Sequence, residues 1–209
     1  MKHSKSEEAL TFIREKKNTL IAVVAAAFVV VMAVLSINYL NEQKRIEAKR
    51  AFGEALITAT DRSVLVDMLR DVAQEHRGSV YATYSLMLIG QNLIDAGEYR
   101  EAVSVLEQAL NSKLPSQSQF LTAMILEAKA IALEFNGSLD DAISAYERAL
   151  SVPNNFFRRN EILFKLALLD MRMGAIESAK IRFEQIIADG SANDRIMRIA
   201  RNELSALEL

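Results

Sequence analysis

Three glycines, Gly97, Gly137 and Gly174, stand 40 and 37 residues apart and share one surrounding pattern. Seven residues before each lies a small residue, Gly90, Ala130 or Ala167, and eleven before lies leucine, Leu86, Leu126 or Leu163. Two after comes Tyr99, Leu139 or Ile176, and five after comes alanine each time, Ala102, Ala142 and Ala179. Nine after comes Leu106, Tyr146 or Phe183, and twelve after comes Ala109, Ala149 or Ile186. Six shared offsets at three origins define a repeat. Glycine between two apolar-periodic stretches suits a left-handed helix cap, so each unit reads as a helix–Gly–helix hairpin. The small residues let its two helices approach, and the large ones fill the space between neighbouring hairpins. One such hairpin has no means of burying its apolar side alone, so the units must stack into a superhelix.

Upstream lies a second constraint. Asn18–Asn41 carries no charge and is bracketed by Lys17 and Glu42. As a helix, Thr19–Tyr39 spans about the 30 Å of a bilayer's hydrocarbon core, and Tyr39 suits the headgroup region. The apolar core is longer than that of a signal peptide, and only a weak cleavage sequence, Val34-Leu35-Ser36, falls in it. An uncleaved anchor is the expectation. Neither Gly nor Pro occurs from there to Gly53, so the helix is expected to run on as a stalk with Ile46, Phe52, Leu56 and Ala59 on its apolar stripe. Asp61, with Thr60, offers an N-cap for the next helix, whose apolar face is Leu65, Met68, Leu69, Val72 and Ala73.

With only two prolines and no sustained period-two alternation, the chain reads as all-α. The expected layout is a basic tail over 1–18, a transmembrane helix over 19–39, a stalk over 40–60 and a helical-hairpin superhelix over 61–209. Within the last, repeats fall at about 79–116, 119–156 and 157–190. A capping helix follows at about 193–207, with Arg195, Arg198 and Arg201 off its apolar stripe.

The tail carries five basic and three acidic residues, leaving 20 basic and 24 acidic elsewhere, and a net-acidic body argues against nucleic-acid binding. There is no Cys, and the two histidines, His3 and His76, lie 73 residues apart. Asp140 and Asp141 sit where a helix N-terminus favours acidic residues. These features point to no catalytic, metal or cofactor site; a protein-binding groove is the expectation instead. The first helix of each hairpin lines the inner surface of such a stack. By offset from the glycine, its inward residues are Tyr84, Met87, Gln91 and Ile94, then Met124, Glu127, Ile131 and Glu134, then Phe164, Lys165, Leu168 and Met171. This apolar, Met-containing set suits an adaptable peptide site.

The offsets resemble those of the tetratricopeptide repeat, most visibly in Asp95-Ala-Gly-Glu-Tyr-Arg-Glu-Ala102, Asn136-Gly-Ser-Leu-Asp-Asp-Ala142 and Gly174-Ala-Ile-Glu-Ser-Ala179. The third repeat departs most, with Asp170 in an apolar slot and Ile186 in place of a small residue. Of the basic cluster that holds peptide carboxylates in cochaperones with these repeats, only Lys165 has a counterpart. The tail, single membrane helix, stalk and phrase His76-Arg-Gly-Ser-Val-Tyr-Ala82 are similar to the bacterial ancillary Sec-translocon subunit family. That resemblance implies an inner-membrane anchor, a cytoplasmic N-terminus and a periplasmic repeat domain. Translocon subunits, periplasmic chaperones or secreted clients are the partners it implies, with lipid contacted through the N-terminal helix. Flanking charge leaves the orientation open, since five basic residues precede the span and Lys44, Arg45, Lys49 and Arg50 follow it. A cytoplasm-facing scaffold and an enzyme with an unrecognised site are the alternatives.

Overall fold

The computed structural model describes residues 17–112, 118–153, 158–189 and 192–207. Nearly all of the expected basic tail lies outside them, as do the expected repeat ends at 116, 156 and 190. Nine helices occur among the described residues, with no strand: α1 (Lys17–Thr58), α2 (Arg62–Glu75), α3 (Val80–Asp95), α4 (Tyr99–Leu110), α5 (Gln119–Phe135), α6 (Leu139–Ser151), α7 (Arg159–Arg172), α8 (Ile176–Asp189) and α9 (Asp194–Leu207). The chain divides into two compact units, 1–47 and 48–209.

The described part of the first unit is the N-terminal portion of α1. Its most apolar 18-residue window has a mean hydropathy of 2.6 and buries none of its residues. Val23, Val24, Phe28, Val29 and Val30 are each more than 60% exposed. By length and composition this helix is able to cross a membrane.

In the second unit, helix boundaries follow from local chemistry. Asp61 caps α2 by accepting from the Val64 N–H, and Ser79 caps α3 by accepting from the Ala82 N–H. The three hairpin turns are built alike. Gly97, Gly137 and Gly174 take φ of 81°, 84° and 76°. In each, the glycine N–H donates to the carbonyl three residues back and the following N–H to the carbonyl five back, as with Gly97 to Ile94 at 3.0 Å and Glu98 to Leu93 at 2.8 Å. This double bond set satisfies carbonyls that a helix end would otherwise leave open.

The hairpins stack through shared helices. A first core joins Ala55, Leu69, Met87, Leu93, Leu106 and the Leu121/Ile125 side of α5. A second takes the Leu126/Ala130/Leu133 side of α5, then Tyr146 from α6 and Ile162, Leu166 and Leu169 from α7. A third joins Leu163 and Ala167 of α7 to Ala179, Phe183 and Ile186 of α8 and Ala200 of α9. The alanines at the close-approach offsets, Ala102, Ala130, Ala142, Ala167 and Ala179, are fully buried. The irregular third repeat is accommodated too. Ile186 is fully buried, and Asp170 is buried with a hydrogen bond of 2.6 Å from Arg182.

The apolar stripe expected after the span is corrected by the structure. Ile46 and Leu56 are 50% and 49% exposed, while Ala48 and Ala55 are fully buried. The buried side follows Ala48, Phe52, Ala55 and Ala59, because Phe52 sets the contact. Its ring lies 5.8 Å from that of Tyr81 and 6.2 Å from that of Tyr84. Small residues to either side of it permit close packing.

At Gly90 an added Cβ would lie 2.6 Å from Leu106 Cγ, whereas at Gly53 it would meet nothing within 4 Å. Gly90→Ala is therefore expected to destabilise the domain by about 1–3 kcal/mol through overpacking. Gly53→Ala is expected to stabilise it by about 0.5–1 kcal/mol through helix propensity. Urea unfolding of the full chain, followed by helical circular dichroism, reads both.

Candidate protein-docking groove

The first helices of the first two hairpins, α3 and α5, are largely apolar because they are packed on two sides. What remains open on α3 and α5 lines a groove of about 510 Å³. Ile94, Met124, Ala128, Ile131 and Phe135 form its apolar wall, and Gln91, Asp95, Glu127, Arg158 and Lys165 supply its polar groups. Phe135 is 61% exposed, and its ring stacks on Tyr99 with centroids 5.3 Å apart.

Six of the twelve residues expected on the inner surface, Gln91, Ile94, Met124, Glu127, Ile131 and Lys165, come together here. The others do not line this groove. Tyr84 is half-buried beside Phe52. Met87 is 3% exposed and belongs to the first core, so its placement on an open surface is corrected. Phe164 packs toward Phe183 with ring centroids 6.2 Å apart, and Met171 lies against the same core. Leu168 is exposed on α7, and Glu134 is half-buried and accepts from Arg172. The reason lies in the neighbours. At ten before the glycine, Met87 and Phe164 meet packed neighbours and are stacking residues, whereas Glu127 at the same offset borders the groove.

Glu127 is the most constrained group in the groove. It is 3% exposed, yet both of its oxygens are engaged. Arg158 Nε donates to Oε2, Arg158 Nη2 donates to Oε1 at 2.8 Å, and Lys165 Nζ donates to Oε1 at 2.6 Å. Burial pushes the carboxyl up, but the hydrogen bonds and charges of Arg158 and Lys165 outweigh it and hold the group below the usual carboxylate range. The same pairing raises Arg158. On α6, the Tyr146 phenol is fully buried and donates to Glu134 at 3.4 Å. Burial first, then the negative charges of Glu134 and Glu127, push that phenol upward.

The periodicity that located Lys165 has no place for Arg158, which precedes α7 and lies outside the shared offsets. Phe135 was equally hidden, since its equivalents in the other hairpins are Asp95 and Arg172. Among the described residues, no three His, Cys, Asp or Glu side chains are grouped to hold a metal ion.

A family model for the tetratricopeptide repeat-like domain matches residues 11–128, more than half of the chain. Two crystal structures of a Podosopora anserina putative kinesin light chain with nearly identical TPR-like repeats superpose with a TM-score of 0.57. They are 19% and 18% identical to this chain, and each alignment covers 79% of it and 84% of the other chain. At that identity the likeness concerns the fold alone. No curated protein matches the chain.

Glu127→Gln leaves two cations without their anion and is expected to destabilise the domain by about 1–3 kcal/mol, short of a fully buried pair because its partners are solvated in part. Since the carboxyl is depressed on folding, its contribution is complete above the unfolded value of about 4.3 and is lost as pH falls through the lower folded value. The urea midpoint of the parent chain should therefore fall on acidification below about pH 4, and the Glu127→Gln chain should show a flatter acid limb.

Proposed function

The chain belongs to the tetratricopeptide repeat-like domain family, and on that premise we propose that it is a membrane-tethered adaptor that docks segments of other proteins. The observation that carries the reading is the groove itself. It sets an apolar wall with an exposed, stacked Phe135 against two cations held by a buried carboxylate. Apolar burial on Ile94, Met124, Ile131 and Phe135 would supply affinity, with the fixed polar groups selecting orientation. No catalytic role is assigned to any residue. The net-acidic body favours protein over nucleic acid as partner.

The apolar first part of α1 supports the tether, and anchoring would raise the effective concentration of the groove for clients near the bilayer. For the compartment, the layout and the His76–Ala82 phrase support a bacterial inner-membrane anchor with the N-terminus in the cytoplasm and the repeats in the periplasm. There the adaptor would serve the Sec translocon and periplasmic chaperones or secreted clients.

The chain has no Cys, which makes a single introduced thiol a clean reporter. A Ser178→Cys chain, with the thiol on an exposed position of α8, should react with a membrane-impermeant maleimide in intact spheroplasts. Protection until lysis would place the domain in the cytoplasm. A photocrosslinking residue at Met124 or Ile131 should capture translocon or chaperone proteins in cells. Capture that is no greater than from exposed Ser144 of α6 would defeat the groove as the docking site.

A further inference from the structure

The seam between the second hairpin (α5–α6) and the third (α7–α8) is crossed by charge on both faces. On the groove face, Lys165 reaches Glu127 at 2.6 Å and Arg172 reaches Glu134, each partner lying 38 residues further along. The two acids are seven residues apart, as are the two cations, so the pairs form rungs two helical turns apart. On the outer face, Arg182 of α8 donates to Glu147 of α6 at 3.0 Å while also holding Asp170 of α7.

The seam between the first and second hairpins carries one ion pair, Lys129 of α5 to Glu107 of α4 at 2.7 Å, but at the rung offsets its chemistry is different. Met87 and Ile94 stand where Glu127 and Glu134 do, and Ala128 and Phe135 stand where Lys165 and Arg172 do. Met87 and Ala128 share the first core. There α3 and α5 pack directly, backbone beside backbone, whereas α5 and α7 have no comparable direct packing. The second seam keeps an apolar core between its two charged faces, shared by Leu126 and Leu133 of α5, Tyr146 of α6, and Ile162 and Leu166 of α7. Beyond it, the third core binds α7, α8 and α9 into one body.

We propose that this second seam is a salt-sensitive hinge. The α7–α9 body turns about that apolar core. The rungs Glu127–Lys165 and Glu134–Arg172 hold it closed, and they set how far Lys165 stands from the apolar wall on α3 and α5. The rung chemistry and the direct α3–α5 packing make the two seams respond differently to salt. Arg172 is 56% exposed and Glu147 55%, so the Glu134–Arg172 and Glu147–Arg182 pairs are open to screening, while the buried Glu127 end of the Lys165 pair is screened less. The Debye length falls from about 10 Å at 0.1 M to about 3 Å at 1 M. Apolar contact of the Met87–Ala128 kind is not weakened by salt.

The test is spin-label distance measurement on the full chain in detergent micelles. Labels at Ser104→Cys and Ser178→Cys span the second seam, and labels at Ser104→Cys and Ser144→Cys span only the first; all three positions are exposed. Raising salt from about 0.1 to 1 M should widen the 104–178 distribution roughly twofold and leave the 104–144 distribution unchanged. Glu134→Arg should reproduce the widening at low salt, and adding Arg172→Glu should restore the narrow distribution. A 104–178 distribution indifferent to salt would overturn the proposal, and so would equal widening of both pairs. The salt series on the otherwise unaltered chain decides the matter even if Glu134→Arg does not fold.

Discussion

Helix α5 gives Leu121, Ile125, Ala128 and Ala132 to the core shared with α1–α4, and Leu126, Ala130 and Leu133 to the core shared with α6 and α7. Helix α7 repeats the arrangement, with Ile162, Leu166 and Leu169 on one side and Leu163 and Ala167 on the other. A helix packed on two sides has no stable existence apart from both neighbours, which makes the array cooperative. That constraint decides where function can lie. Once two sides of a helix are committed to stacking, only the strip between them is left to meet a partner. On α5 that strip is Met124, Ile131 and Phe135.

Charge enters this scheme under the same geometric rule. Glu127 stands at a stacking position, where burial disfavours ionisation, and it stays ionised because Arg158 and Lys165 arrive from the next hairpin. Asp170, also buried, accepts a hydrogen bond from Arg182, whose own shift is upward because its hydrogen bonds to Asp170 and Glu147 outweigh burial. Neither pair is strong evidence of net stabilisation, since apolar residues of similar shape serve equally well at such sites. What the charges add is directionality, because each fixes which side chain must lie opposite.

Much of the fold was legible because the repeat is written in small residues. Glycine at a positive φ and alanine at zero exposure have few substitutes, so the hairpins, their turns and their order could be read from Gly97, Gly137, Gly174 and the buried alanines. The stalk stripe was misjudged because Ile46 and Leu56 are large and apolar yet exposed, while the contact belongs to Phe52 flanked by alanine. Half of the expected partner-binding residues do line the groove. Met87 and Phe164 do not, because a helical offset fixes a direction without saying whether a neighbour or open space lies that way. Arg158 was beyond reach, since a residue outside the periodic helix has no offset to be read from.

The unlike chemistry of the two seams also labels the hairpins. If the third hairpin were set against the first, Lys165 and Arg172 would face Met87 and Ile94, and two cations would be pressed onto an apolar surface with no anion to receive them. If the second were set against a copy of itself, Glu127 and Glu134 would meet Ala128 and Phe135. Only the native order pairs every rung. The array therefore holds an address code in its side chains, one that discourages slipped registers and hairpin exchange between neighbouring chains.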